Sequence, residues 1–183
     1  MQYNFSNLKT ELKKIDDFLS KEYSQLSTGR ASPMVLDGVS VESYGSMQPI
    51  KNVASVSIED PKTLRVNPWD KNHVKAIEKA ILVADLGLSV ATDEAGLRVI
   101  FPQLTTETRQ KLVKVLKEKL EEARITVRRE RGNVWDEIQA QEREGKMTED
   151  EKAHAKDELQ KVVDEINKTL EATFEKKEKE VLG

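Results

Sequence analysis

Four cations stand at positions 117, 124, 128 and 131, and their spacing could do chemistry together. On a helix turning 100° per residue, Lys117, Arg124, Arg128 and Arg131 fall within about 60° of one another and form a single ridge. A guanidinium keeps its charge at any physiological pH and can donate two parallel hydrogen bonds to a phosphate. A rigid row of such groups positions a protein on RNA without reading its sequence, and such binding weakens as salt rises. Guanidinium planes can also stack on splayed bases. The plainer alternative is a solvated helix face balanced by Glu121, Glu122 and the acidic C-terminal segment. Arg129 lies about 100° from Arg128 and is expected to face solvent. Local charge supports a patch: residues 105–131 carry nine basic and five acidic side chains, whereas 132–183 carry nine and 15.

Other chemistries find little support. Net charge is −3 over 183 residues, which excludes a uniformly basic nucleic-acid coat but not a local basic patch. There is no Cys, which removes thiolate nucleophiles, thiolate metal sites and disulfides, and fits a reducing compartment. The two His, His73 and His154, have no ligand set beside them and read as exposed or satisfied side chains. Glu59-Asp60 runs into Pro61 and lacks the alternating oxygens of a calcium loop. No Gly-rich phosphate loop, nucleophile elbow or paired-carboxylate motif is present. Neither a metal nor a cofactor is expected. No apolar run approaches the roughly 20 residues of a membrane span, and the start of the chain shows no signal-peptide pattern, so no membrane role and a cytoplasmic location are expected. Trp69 could stack on a base or on a partner protein, but a Trp beside a helix start more often packs on its own domain, and that reading is favoured. Trp135 is expected to cover the rim of its helix.

The ridge needs a rod to hold it. Leu112, Leu116, Leu120, Ala123, Val127, Val134 and Ile138 mark the apolar stripe of a helix of about 40 residues, with Thr105 as its cap and Gly145 as its stop. Phe5, Leu8, Leu12, Ile15, Leu19, Tyr23 and Leu26 define an earlier helix, ending before Thr28-Gly29-Arg30-Ala31-Ser32-Pro33. Thr148 and Glu151 form a capping box before a last helix on Ala155, Leu159, Val162, Ile166, Leu170, Phe174 and Val181. Between the first two, the apolar period drops to two: Val39 and Val41, then Ala54, Val56 and Ile58, then Leu64 and Val66, with a hairpin of Leu88–Ala91 and Leu97–Phe101. One helix interrupts these strands, on Val74, Ile77, Ile81 and Ala84, and ends at Gly87. The fold class is therefore α+β: a long three-helix bundle (1–30 and 105–183) with a small β/α/β-type domain (31–104) inserted in it. Two short crossings side by side, Gly29, Arg30, Ala31, Ser32 and Pro33 with Pro102, Gln103, Leu104 and Thr105, make a natural hinge.

Several motifs together resemble the ribosome recycling factor family: Thr28-Gly29-Arg30-Ala31-Ser32-Pro33, Asp85-Leu86-Gly87-Leu88, Pro102-Gln103-Leu104-Thr105, and Ala123-Arg124-Ile125-Thr126-Val127-Arg128-Arg129-Glu130-Arg131. The match runs through essentially the whole chain in the family's order. The resemblance implies an L-shaped two-domain translation factor with the outline of transfer RNA and no catalytic site. Its bundle would lie on ribosomal RNA of the large subunit, and elongation factor G, using GTP, would push on it. The subunits would then separate, releasing messenger and deacylated transfer RNA. The resemblance adds Arg109 to the RNA-contacting arginines and supports Arg128 and Arg131 in that role. Gly132 departs from the family, whose members often carry a second basic residue there; a Gly inside a helix can soften the rod or admit close backbone approach. Arg30 could bond helix-terminal carbonyls at the hinge, the favoured reading, or reach RNA. A monomer is expected, because the three stripes satisfy one another. The alternative is an oligomeric coiled-coil scaffold or holdase, in which the stripes pair between chains; a hydrolase using Asp and His has no supporting pattern.

Overall fold

The computed structural model describes residues 3–183. Its backbone falls into two compact units, one of residues 1–23 with 110–183 and the other of residues 24–109.

The first unit holds three helices, α1 (Ser6–Ser24), α4 (Thr106–Arg143, whose first turn clusters with the other unit) and α5 (Glu149–Leu182). Each buries a single stripe: Leu8, Leu12, Leu19 and Tyr23 on α1, Leu116, Leu120, Ala123, Val127 and Ile138 on α4, and Ala155, Leu159, Val163, Leu170, Phe174 and Val181 on α5. Polar bonds join every pair of helices. The Tyr23 hydroxyl donates to the Leu116 carbonyl at 2.7 Å, Lys119 pairs with Glu22, Arg124 pairs with Glu171, and the Thr173 hydroxyl reaches Asp16 at 3.3 Å. With 38 residues, α4 is about 57 Å long.

The helix ends follow local chemistry. The Thr105 hydroxyl accepts from the Thr108 amide at 3.2 Å, starting α4. Thr148 and Glu151 form the reciprocal capping box that starts α5. Gly145, at φ +70°, turns the chain between them. Two details differ from the stripe spacing. Helix α1 stops at Ser24, so Leu26 is only half-buried beyond its end. Val163, rather than Val162, is the buried member of its pair on α5. Adjacent apolar residues straddle the stripe, and packing decides between them.

The second unit contains two sheets. Strands β1 (Ser40–Ser43) and β2 (Ser46–Pro49) form a hairpin, and β3 (Ala54–Asp60), β4 (Thr63–Pro68), β5 (Ser89–Asp93) and β6 (Gly96–Ile100) form an antiparallel sheet in the order β3-β4-β6-β5. A one-turn helix, α2 (Ile50–Val53), and the helix α3 (Val74–Val83) complete it. The core joins Leu64, Val66, Leu97 and Val99 from the central strands to Ile77 and Ile81 of α3, and to Val41, Ile50 and Phe101. Strand β2 carries no apolar alternation and is invisible to the period-two pattern; its residues are mostly exposed. Ile58 does not belong to the core: on edge strand β3 the register shifts between Ile58 and Asp60, and Ile58 is 59% exposed.

The hinge residues of the sequence reading cluster with this second unit rather than dividing it from the bundle. Ala31 donates to the Pro61 carbonyl at 2.9 Å. Gly29, at φ +78°, runs beside the other crossing, where an added Cβ would lie 3.4 Å from both the Pro102 carbonyl oxygen and the Leu104 side chain. These contacts tie residues 24–31 and 102–109 to the inserted unit.

Candidate nucleic-acid interface

The cations of α4 divide by what holds them. Arg128 is exposed, and its guanidinium reaches back two turns to Glu121 at 2.8 Å. Arg131 is exposed and donates to the Gln160 side-chain oxygen on α5 at 3.2 Å, with no carboxylate partner among the described residues. Lys117 is exposed on the same face. These three head groups are available to solvent or to phosphate. Arg124 differs: it is half-buried and ion-paired across the bundle with Glu171. Spacing puts Arg124 on the ridge, but the register of α5 hands it an acidic neighbour.

Arg109 sits near the start of α4, half-buried, with its Nε 3.5 Å from the Leu104 carbonyl oxygen. It lies about 40° round the helix from Arg131 and about 80° from Lys117, at the margin of the ridge. Arg129 is exposed and pairs with its neighbour Glu130 at 3.3 Å, off the ridge as spacing requires.

Two expectations outside α4 are corrected. Arg30 does not bond helix-terminal carbonyls; it is exposed and makes no hydrogen bond or ion pair among the described residues. The turn at Gly29 brings backbone, not the Arg30 side chain, against the second crossing. Trp69 does not pack on its own domain but is 70% exposed. Alternation along β4 turns Val66 inward, and continuing it puts residue 69 outward. Trp135 is half-buried, with the Lys156 ammonium 5.8 Å from its ring centre.

The His pair does no visible chemistry. The Nε2 of His73 lies 3.0 Å from the Ser43 hydroxyl, its ring stands edge-on to Tyr44, and its Nδ1 is buried without a partner. The Tyr44 hydroxyl donates to Asp70 at 2.5 Å, which holds the Asp70 carboxyl below its ordinary range and pushes the Tyr44 phenol up. This cluster fastens the β1–β2 hairpin to the segment before α3. Among the described residues no group of acidic or His side chains could hold a metal ion, and no helix is long and apolar enough to cross a membrane.

Fold and surface together define a class: a three-helix bundle with an inserted α+β unit, offering exposed cations on a braced helix. Comparison with known proteins makes the class specific. The family model described as ribosome recycling factor matches residues 19–182. A ribosome-recycling factor of Desulforamulus reducens is 39% identical over 177 residues, covering 97% of this chain and 96% of the relative. One from Carboxydothermus hydrogenoformans is 40% identical over 172 residues, covering 94% and 93%. A solution structure of the ribosome recycling factor superposes with a TM-score of 0.78 at 35% identity, covering 100% of this chain and 99% of that one. Models of the T. thermophilus ribosome recycling factor and the E. coli elongation factor G on the E. coli post-termination complex give a TM-score of 0.67 at 37% identity, covering 98% and 97%. The chain belongs to the ribosome recycling factor family.

Proposed function

We propose that this protein binds the post-termination ribosome on ribosomal RNA of the large subunit. With elongation factor G and that factor's GTP hydrolysis, it separates the subunits and frees messenger and deacylated transfer RNA. It works in the cytoplasm as a monomer and catalyses no reaction itself. The observation that carries this reading is the pair Arg128 and Arg131, exposed one turn apart on a helix bonded to two others. Two fixed guanidiniums suit adjacent phosphates, and the rod costs little further order when it binds. Lys117 extends the charge along the same face. Arg109 and Arg124 contribute at the margin, since each is partly engaged within the chain. Monomeric action is supported by the three stripes, which bury one another within one chain. The chain passages between the units, at 23/24 and 109/110, together with the crossings 29–33 and 102–105 beside them in sequence, serve as the joint through which the elongation factor's push is transmitted.

The test is a splitting assay by light scattering, with purified protein, post-termination ribosomes, elongation factor G and GTP. Subunit separation that requires all three components is expected; no separation contradicts the reading. Gly29→Ala should slow splitting more than it weakens binding, because φ +78° strains any residue that carries a Cβ. An unchanged splitting rate would make the crossings passive linkers.

A further inference from the structure

Between α1 and α4 the bundle leaves a groove of about 340 Å³. Its lining runs from Glu11 to Glu22 on α1 and from Lys119 to Glu130 on α4, about 16 Å of each helix. The space follows from residue size. Ala123 is the smallest side chain of the buried α4 stripe and leaves a step between Leu120 and Val127. Phe18 on the facing helix does not fill it, but stands 65% exposed at the groove's edge. The floor is apolar, made by Ile15, Leu19 and Ala123. The groove opens on the side of α4 away from the cationic ridge: Thr126, in its lining, stands about 160° round the helix from Arg128.

Four carboxylates and three cations border this floor, and the pairing leaves one carboxylate over. Lys14 bonds Glu11 at 2.6 Å, Lys119 pairs with Glu22, and Arg129 pairs with Glu130 at 3.3 Å. Glu122 makes no ion pair among the described residues. The nearby Thr126 hydroxyl does not serve its carboxylate, because it donates to the Glu122 main-chain carbonyl at 3.1 Å.

We propose that this groove binds a small amphipathic amine, with an apolar body of one or two rings on the floor beside Phe18 and one ammonium held by the Glu122 carboxylate. Size, surface and charge each narrow the class. The volume lies at the lower end of small-molecule sites, and a helix, about 10 Å across with its side chains, would not fit within it. A ring system removes water from the apolar floor and from the exposed Phe18 face. An anion would have to break one of the three existing pairs to find a cation, whereas an ammonium completes the fourth. The Phe18 ring adds a second attraction for a positive charge. Binding here needs no ribosome and uses none of the ridge cations.

The probe is naphthylmethylamine, compared with the neutral naphthylmethanol and the anionic naphthoate, each titrated into the isotope-labelled full chain and followed by amide shifts in NMR. The amine should bind with a dissociation constant of about 1 mM and move amides of residues 15–19 and 122–126. The alcohol should bind about fivefold more weakly, the modest factor expected of a partly exposed ion pair, and naphthoate more weakly still. Glu122→Gln should bring amine and alcohol to equal affinity. Phe18→Ala should weaken both by about fivefold, and since each side chain is exposed the helical circular dichroism should not change. Equal binding of amine and alcohol to wild type overturns the proposal. So does tighter binding of naphthoate, which would give the groove to anions. Amide shifts confined to the other unit, or no shifts at about tenfold the expected constant, overturn it too. Shifts at residues 15–19 that depend on protein concentration before any amine is added would put a second copy of the chain in the groove and overturn it as well.

Discussion

A guanidinium on a helix can serve its own chain or be left to solvent, and α4 does both within eight residues. Arg124 pairs with Glu171 on α5, whereas among the described residues Arg131 meets only the neutral Gln160. Spacing alone put both on one ridge, because angular position is a property of one helix. Which side chain stands opposite depends on interhelical register, which no single-helix pattern contains. The Arg124–Glu171 pair is partly exposed, so a double-mutant cycle on Arg124→Ala and Glu171→Ala should give a coupling of about 0.5–1 kcal/mol by urea unfolding. A coupling near zero would return Arg124 to the free cations. Tyr23 lies beside this pair and bonds the Leu116 carbonyl. Burial, with the Glu171 charge next and Arg124 opposing, pushes its phenol up to about 12. A folded-state value above the unfolded one means the native state keeps the proton longer. Its contribution is therefore whole below about pH 10 and is lost as pH rises toward 12. Tyr23→Phe should cost about 1 kcal/mol at neutral pH and flatten the alkaline fall in stability, read by circular dichroism in urea. An alkaline slope identical to wild type would show that Tyr23 does not carry it.

The helices were legible as elements because each must bury a stripe at one period over many turns, and two of the starts had their own chemistry, at Thr105 and in the Thr148–Glu151 box. The inserted unit was legible only where strands are half-buried. Strand β2 presents Ser46, Met47 and Pro49 to solvent, so nothing alternates, and it forms because β1 supplies its hydrogen bonds. Ile58 looked like core because alternation does not reveal an edge strand or a shift of register, here between Ile58 and Asp60. The hairpin between β5 and β6 shows how a single residue controls an element. Gly96 has φ +149°, and a Cβ there would collide with the Val66 carbonyl oxygen and press on Pro68. Gly96→Ala combines backbone strain with a clash against rigid main chain, so about 2–4 kcal/mol of destabilisation is expected in the inserted unit. Chemical denaturation followed at Trp69 would check it, with Trp135→Phe removing the other indole. A loss below about 0.5 kcal/mol would mean that the hairpin relaxes freely.

Across the whole molecule, the two units divide the work on the proposed reading: one carries the exposed cations, the other the paired crossings. The order of the elements was legible in the sequence, since the apolar period switches from 3.6 to 2 and back. That pattern placed the boundaries at 30/31 and 104/105, whereas contacts cluster at 23/24 and 109/110, because backbone bonds such as Ala31 to Pro61 depend on how distant segments meet. The central claim is that exposed guanidiniums on a braced rod hold the protein to ribosomal phosphate. It is tested most directly by large-subunit affinity as a function of salt for wild type and for the double variant Arg128→Ala, Arg131→Ala. Two lost phosphate contacts should weaken binding and make the log–log salt slope shallower by about 2, with the helical circular dichroism unchanged. A double variant that binds as tightly as wild type, with the same slope, would contradict the account.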